Sequence, residues 1–459
     1  MGKPATQSVE VGTAVLAPEE KAVYRKVSVR LIPFLFICQV IAALDRMNVG
    51  YAQLQMKQDL GFSDLIYGTG ASVFFLAYFL FEVPSNMLLE RIGARKTITR
   101  IMFIWGLVSA ATMLVNTPAQ FYFVRFLLGV FEAGFFPGVL LYLTYWYPQQ
   151  QRGRITGYFI SSIIVAGILA GPVSGFIMAG MNGMAGLKGW QWMFLLEGLP
   201  ATLLGIIAWL YLDDRPANAS WLNDRERALL TRKIEADRAI KTGVEHSGIA
   251  KVFGDSRVWV MAFIYFAYLC ASYTLAFWLP IMIKDLGVAD VKRIGLLSAI
   301  PSLAGLVMMN WYGRHSDLKA ERRWHFTLAV FIVGITLTLS TLTPGSLLIS
   351  MLLFIVAAAF LSGSVPVFWA VPPAYLSERG AAVGIALVTC VGQLGGVVAG
   401  AFMGWVRNTT GSGALGLYAM TALLILAGLL MIVCVPVRLL RERKAVELAT
   451  DLSPENPKQ

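Results

Sequence analysis

The chain has 459 residues, of which 57% are hydrophobic and only 14% are charged, and its mean hydropathy is +0.65. Soluble globular proteins carry about 25% charged residues, so this composition excludes an ordinary soluble domain. The net charge of +11 is the kind that nucleic-acid-binding proteins carry, but the distribution of the basic residues favours a membrane topology and argues against a nucleic-acid partner.

Long uncharged runs recur along the chain, for example between Arg154 and Lys188 and between Arg379 and Arg407. A helix needs about 20 apolar residues to cross a bilayer. Inside lipid every backbone polar group must be bonded within the structure, which favours helices. The sequence therefore predicts an all-α membrane protein with twelve transmembrane helices, at approximately 27–54, 65–89, 97–116, 119–146, 154–180, 190–212, 257–284, 292–312, 324–342, 346–372, 380–406 and 413–437.

These spans group as six plus six around a polar central segment. That segment contains a helical pattern over 221–240, with Asn223 as its N-cap and Glu226 in the capping-box position. We expect this helix to be amphipathic and to lie under both halves. The predicted organisation is an N-terminal tail 1–26, a bundle 27–212, a central loop 213–256, a bundle 257–438 and a C-terminal tail 439–459.

Lysine and arginine predict the orientation in the membrane. If both termini are cytoplasmic, the inside segments hold 30 of these residues and the outside segments hold 6. Such an excess is typical of the cytoplasmic side. We therefore predict that both tails and the central loop are cytoplasmic.

Four charges interrupt otherwise apolar spans. Asp45 and Arg46 lie in the first span, and Arg125 and Glu132 lie in the fourth. A charge at the centre of a span costs about 2.5–3.5 kcal/mol even on insertion scales, so such residues mark functional sites. Tyr78 in the second span is predicted at a similar depth. Together these five side chains indicate a central site.

The residue types suit an anion and protons. Arginine binds both oxygens of a carboxylate through its planar fork and stays protonated, whereas a buried Asp or Glu can carry a proton at physiological pH. The alternative is that the four charges form structural ion pairs that hold the N-terminal bundle. Asp45 in particular could merely orient Arg125, and Tyr78 could be a packing residue.

The C-terminal half has no formal charge within its last four predicted spans. Its contribution to a site must therefore be aromatic or uncharged, although aromatic residues in spans also face lipid. The candidates are Tyr273, Phe277, Trp278, Trp369 and Gln393. In the N-terminal half, Glu82 lies one turn after Tyr78 and is a further candidate for lining the cytoplasmic exit.

At these residues the chain resembles the major facilitator superfamily, and within it the anion:cation symporters, which include bacterial carriers for sugar acids, tartrate, phthalate and hydroxyphenylacetate. The resemblance is carried by LDRMN at 44–48, PSN at 84–86, the run 125–137, the glycine motif at 167–175, the run 188–197 and the Phe368-Trp369 pair.

This resemblance implies two six-helix bundles, with Asp45 and Glu132 in proton coupling and Arg46, Arg125 and Tyr78 in substrate binding. The chain departs from the family at Gln393, where an asparagine is usual. The longer amide makes transfer of a sugar-acid specificity unsafe.

From these observations we predict a proton-coupled symporter that imports a small organic carboxylate, an aromatic or hydroxylated acid, by alternating access. We expect a monomeric multi-pass protein of a bacterial inner membrane that needs no cofactor and no metal. The alternatives are an organic anion exchanger or uniporter on the same fold and, more distantly, a membrane anion sensor. An enzyme is not expected, since the sequence shows no phosphate-binding loop, metal cluster or paired nucleophile and base.

Overall fold

The computed structural model describes residues 18–242, 252–319, 321–343, 345–376 and 381–436. The predicted C-terminal tail and most of the predicted N-terminal tail lie outside these residues. Within them, twelve helical segments are long and apolar enough to cross a membrane. This result confirms the predicted all-helical fold and its number of spans.

Two groups of helices make up the molecule. The N-terminal bundle contains α1 (Pro18–Asp59), α2 (Asp64–Ile92), α3 (Ala94–Ala111), α4 (Pro118–Glu132), α5 (Phe135–Thr144), α6 (Gln149–Gly180) and α7 (Gly189–Tyr211), and it is followed by α8 (Asp224–Thr242). The C-terminal bundle contains α9 (Ser256–Asp285), α10 (Val291–Lys319), α11 (Arg323–Ser340), α12 (Leu347–Trp369), the short α13 (Pro372–Tyr375), α14 (Ala381–Thr410) and α15 (Ala414–Cys434). Two helices, α4 and α5, together form the fourth span.

The first helix begins earlier than the sequence suggests. It starts at Pro18, inside the predicted tail, with Glu19 and Glu20 in its first turn, where carboxylates interact favourably with the helix dipole. Glu20 also pairs with Lys233 of α8 at 2.8 Å. We call the end of the molecule where α1 begins and α2 ends the terminal face, and the end where α1 ends and α2 begins the opposite face.

The helix α8 docks on the N-terminal bundle at the terminal face. The predicted capping box is confirmed: Asn223 Oδ1 accepts from the Glu226 amide at 2.8 Å, and Glu226 Oε2 accepts from the Asn223 amide at 2.9 Å. Glu226 also pairs with Lys26 at 2.8 Å, and Arg152 of α6 pairs with Asp237 at 2.8 Å. The described ion pairs that leave α8 all reach α1 or α6, so it is fixed to one half rather than to both.

Among the described residues, the two bundles pack most extensively through three helix pairs: α1 with α9, α2 with α14, and α6 with α10. Their backbones come very close toward the opposite face. A Cβ added at Gly171 of α6 would lie 2.1 Å from the carbonyl oxygen of Gly295 in α10, so no larger residue fits without a shift. In the same half of the interface, the Ser72 hydroxyl of α2 donates to the Val397 carbonyl of α14 at 2.6 Å. The bundles are therefore closed together at the opposite face.

A cluster of charges, which we call the Asp64 cluster, lies in the interface at the opposite face. Asp64 accepts from Gln53 at 2.8 Å and from Lys57 at 2.9 Å, both in the N-terminal bundle. Across the interface, the Arg407 guanidinium lies 3.7 Å from Asp64 and 2.8 Å from Asp285. The cluster links the two halves with a single cation from the C-terminal bundle.

Candidate functional site

Asp45 lies inside the N-terminal bundle and faces α3. Its side chain is buried, and Oδ1 accepts from the Asn48 amide at 2.9 Å and from the Ser109 hydroxyl. Oδ2 accepts from the Trp105 indole at 2.6 Å. Both carboxylate oxygens are thus held by uncharged donors. No described hydrogen bond or ion pair joins Asp45 to Arg125, so it does not orient that arginine by direct contact.

Arg46 forms an ion pair with Glu132. Its Nε lies 3.1 Å from Glu132 Oε1, and its Nη2 contacts the same oxygen. The Glu132 side chain is 1% exposed, whereas that of Arg46 keeps 19% of its surface exposed. Arg46 is thus the more exposed member of this pair, although it lies in the middle of the first span.

The helix of the fourth span is interrupted immediately after Glu132. The helix α4 ends at Glu132, and Gly134 takes a φ of +86°, a left-handed conformation that disfavours other residues. A Cβ at Gly134 would also lie 2.6 Å from the Ser85 side chain. The fourth span therefore consists of two helices, and Glu132 is the last residue before the break between them.

Arg125 is buried without a counter-ion. It is 1% exposed, its Nε donates to the Gly70 carbonyl at 3.3 Å, and its guanidinium carbon lies 4.6 Å from the Phe74 ring centroid. Its Nη2 has no hydrogen-bond partner among the described residues. No carboxylate in that part of the chain forms an ion pair with it. This guanidinium is the feature of the site that most needs a ligand.

Two aromatic rings of α2 connect the arginines. The Arg46 guanidinium carbon lies 5.1 Å from the Tyr78 ring centroid and 5.7 Å from that of Phe74, so Phe74 contacts both cations. Cations favour the face of an aromatic ring at such distances. The sequence pattern indicated Tyr78 but not Phe74. Its spacing of four residues from Tyr78, which places both on one helix face, was the available signal.

The C-terminal bundle contributes uncharged groups opposite Arg46. The Tyr273 hydroxyl donates to Gln393 Oε1 at 2.8 Å, and the Tyr273 ring lies 4.4 Å from that of Phe75 in α2. Tyr273 also interacts with the Arg46 side chain. Two of the five candidates from this half, Tyr273 and Gln393, are thus bonded to each other beside the charged residues.

The two candidate tryptophans lie on either side of this layer. Trp278 is fully buried, packs edge-on against Tyr67 at 5.2 Å and lies 5.8 Å below the Arg407 guanidinium, so it belongs with the Asp64 cluster. Trp369 packs against Tyr265 at 4.9 Å, at the end of α12 near the terminal face. Neither tryptophan has a described contact with Arg46 or Arg125.

The described residues contain no group of three or more His, Cys, Asp or Glu side chains arranged to hold a metal ion. The charged side chains of the site offer ionic chemistry. The site combines one paired cation, one unpaired cation, two carboxylates and a wall of aromatic rings and amides.

Comparison with known proteins places the chain among transporters. The sequence profile of the Major Facilitator Superfamily matches residues 35–400. A Pseudomonas putida protein named for metabolite transport, NicT, is 45% identical over 412 residues, covering 90% of this chain and 94% of that protein. An Agrobacterium vitis protein named for tartrate transport is 41% identical over 414 residues, covering 90% and 95%.

A solved structure shares the fold. A bacterial homologue of the human lysosomal transporter Spinster, in an inward-facing and occupied conformation, superposes with a TM-score of 0.69 and 16% identity, covering 94% of this chain and 99% of that one. At this identity the likeness concerns the fold alone.

Proposed function

The chain belongs to the major facilitator superfamily, and from that premise we propose that it is a proton-coupled carrier that imports a small organic carboxylate by alternating access. We assign it to a bacterial inner membrane, as a monomer, with an aromatic or hydroxylated acid as substrate. One observation carries this proposal. Two guanidiniums contact the ring of Phe74, and within the described part of the chain only that of Arg46 is paired with a carboxylate.

The unpaired cation argues for an anionic substrate. A buried charge without a partner costs several kcal/mol, so Arg125 destabilises the empty carrier unless a ligand neutralises it. A carboxylate between Arg125 and Arg46 would accept charge-assisted hydrogen bonds from both. The relative named for tartrate transport, a dicarboxylate, supports the same class of substrate.

The paired cation argues for coupling to protons. In the empty site Glu132 is paired with Arg46, so a substrate carboxylate must compete with Glu132 for the Arg46 guanidinium. A proton on Glu132 removes that competition and releases Arg46 to the substrate. Asp45 is the second proposed proton site. The Ser109 hydroxyl that donates to it can rotate and accept instead, so a protonated Asp45 keeps its partner.

The closed opposite face supports alternating access. The described hydrogen bonds and ion pairs between bundles lie at the level of Arg46 or beyond it toward the opposite face, as the hydrogen bond of Ser72 and the ion pair of Arg407 illustrate. We infer that the site opens toward the terminal face and that the exposed part of Arg46, 19% of its side-chain surface, is reached from there. With the termini predicted to be cytoplasmic, this conformation is the one that releases substrate into the cell.

A binding screen tests the substrate class. Purified full-length carrier is heated with tartrate, phthalate, benzoate or 4-hydroxyphenylacetate and, in parallel, with benzamide. A ligand that binds only the native state raises the melting temperature. We expect at least one carboxylate to do so and the neutral amide to have no effect. Equal stabilisation by benzoate and benzamide would exclude recognition of charge by the arginines.

Uptake into proteoliposomes tests the coupling. The best carboxylate from the screen should accumulate when the outside is acidic, because each pH unit supplies about 1.36 kcal/mol per proton. A protonophore should abolish accumulation. Unchanged accumulation with the protonophore, with uptake that depends on an anion inside the vesicles, would instead support the second candidate, a carboxylate exchanger. In an exchanger a second anion, rather than a proton, would open the Arg46–Glu132 pair.

The coupling role of Glu132 has its own prediction. In Glu132→Gln the side chain is permanently neutral, so Arg46 is always released. We expect carboxylate binding and counterflow to persist while proton-driven accumulation is lost. The matched control is Glu90→Gln, at the exposed end of α2, which should behave like the wild type. If Glu132→Gln still concentrates substrate fully, Glu132 is structural.

A further inference from the structure

One face of α2 carries a third functional group beyond Phe74 and Tyr78. Glu82 follows Tyr78 by four residues, so the three side chains project from one helix face. At 1.5 Å per residue, Phe74 and Glu82 are about 12 Å apart along the axis. Phe74 marks the level of the arginines, and Glu82 lies nearer the terminal face. One end of this row therefore lies beside the two positively charged arginines, and the other end carries the negatively charged Glu82.

Glu82 has an unsatisfied carboxylate oxygen. Its Oε2 is buried and has no hydrogen-bond partner among the described residues, and no described cation forms an ion pair with it. The described hydrogen bond at this residue involves its backbone, whose carbonyl accepts from the Asn86 amide at 2.9 Å. Carboxylates removed from water are normally hydrogen-bonded, because an unpaired one is costly. This oxygen thus lacks a hydrogen-bond donor, and no described residue of the protein supplies one.

The surroundings of Glu82 form an aromatic site between the bundles. Its charge acts on Tyr78 of its own helix and on Tyr265 and Tyr273 of α9. The Tyr265 ring stacks on that of Phe368 at 5.2 Å and meets the edge of Trp369 at 4.9 Å. Tyr78 is buried, whereas Tyr265 and Tyr273 are half-buried, so the α9 side of this site is the more exposed one. A flat ring with a donor group fits such walls better than an aliphatic chain.

The nearest cation is already engaged. Arg46 acts on Glu82 at longer range, but its hydrogen bonds go to Glu132. In the proposed mechanism Arg46 is released toward the substrate carboxylate and moves no closer to Glu82. The structure thus leaves Oε2 available to a donor on the substrate.

We propose that Glu82 binds an ammonium or other N–H donor on the substrate, so that the carrier selects aromatic acids that bear a carboxylate at one end and a donor at the other. The carboxylate lies against Arg125 and Arg46. The ring lies between Tyr78 and the α9 tyrosines, and the donor reaches Glu82. This inference rests on the proposed function and narrows its substrate class.

Two ligands of nearly equal shape test the inference. 4-(Aminomethyl)benzoate carries an ammonium where 4-methylbenzoate carries hydrogen, and both carry the carboxylate. Their affinities for the purified full-length carrier are measured by calorimetry. We expect the wild type to prefer the ammonium compound by about tenfold or more, as one charge-assisted hydrogen bond implies. This comparison does not depend on any variant folding.

Glu82→Gln then identifies the residue responsible. It keeps the shape of the side chain and removes its charge, so the preference should fall below about twofold while the affinity for 4-methylbenzoate stays unchanged. Glu90→Gln, on the same helix but exposed, is the control and should keep the wild-type preference.

The outcomes separate this inference from the proposed function. Equal wild-type affinities for the two ligands, or an equal loss of both in Glu82→Gln, would overturn the inference and leave a carboxylate carrier intact. A Glu82→Gln carrier that keeps the wild-type preference would also overturn it. Failure of every carboxylate to bind would overturn the proposed function itself, and the inference with it.

Discussion

At the residue scale, the two arginines of the site differ in what holds them. Arg46 is paired with Glu132, whereas the described contacts of Arg125 are a carbonyl and the ring of Phe74. Removing one member of a buried pair leaves the other charge unpaired, which costs about 3–5 kcal/mol. Removing a cation that has no counter-ion carries no such penalty.

This difference predicts opposite effects on the empty carrier. Arg46→Met should lower the melting temperature because Glu132 loses its partner. Arg125→Met should leave the melting temperature unchanged or raise it, while abolishing the stabilisation that a bound carboxylate gives. Thermal unfolding of both variants, with and without the best carboxylate, measures this. Equal destabilisation of the two empty variants would show that Arg125 has a structural partner after all.

The sequence predicted which charges matter but not how they pair. Charges inside apolar spans are conspicuous because lipid penalises them, so Asp45, Arg46, Arg125 and Glu132 could be identified without a structure. Their partners depend on the rotation of α1 against α3 and α4, which periodicity does not report. Thus Asp45 meets three uncharged donors rather than Arg125. The ring of Phe74 was missed because an aromatic residue in a span is ordinarily packing.

At the element scale, the twelve spans were predictable and the break in the fourth was not. Span length is set by bilayer thickness, so apolar runs alone locate the helices. A single left-handed residue such as Gly134 leaves the surrounding pattern unchanged, and only the GlyPhePheProGly composition after Ala133 hints at it. The cap of α8 was predictable because the Asn223 and Glu226 spacing is a local signal.

The attachment of α8 should depend on pH through Glu226. The Lys26 ammonium that donates to Glu226, together with the Asn223 amide, lowers the pKa of this carboxyl. A group whose pKa is lowered on folding stabilises the folded state fully above its unfolded pKa of about 4.3, and this contribution is lost as the pH falls through the folded value. Hydrogen exchange of α8 amides at pH 7, 4.5 and 3.5, corrected for the intrinsic exchange rate at each pH, should show lower protection factors at the acid end.

Glu226→Gln is the control, since it cannot titrate. It should exchange faster than the wild type at pH 7, and the difference between the two proteins should shrink as the pH falls. A difference that stays constant across this range would show that Glu226 does not link α8 to α1.

At the scale of the whole molecule, the two bundles meet through small residues that allow the backbones to approach. Such contacts are the means by which helices associate in a membrane. Gly171 of α6 touches the backbone of Gly295, whereas Gly157 of the same helix has open space around the position of a Cβ. The sequence showed the glycine motif at 167–175 but not which of its glycines lie between the bundles.

These two glycines provide a matched test of closure. Gly171→Ala places a methyl group 2.1 Å from a carbonyl oxygen, so the opposite face should no longer close fully, and uptake should fall by an order of magnitude or more. Gly157→Ala should transport like the wild type. Labelling of a cysteine introduced at Ser72 from the opposite face should rise in the first variant alone. Equal labelling in both would show that the Gly171 contact does not hold this face shut.

The Asp64 cluster has a consequence for how the carrier changes state. When the bundles part at the opposite face, the contact at 3.7 Å between Arg407 and Asp64 is lost. Arg407 nevertheless retains Asp285 within its own half, and Asp64 retains Lys57 and Gln53 within the other. Arg407 and Asp64 thus each keep a partner within their own half when the bundles separate. The two halves can therefore exchange the Arg407–Asp64 contact for contacts within each bundle at little cost in free energy. The closed and open states of the opposite face then differ little in free energy, so that the binding of one substrate acid can shift the equilibrium between them.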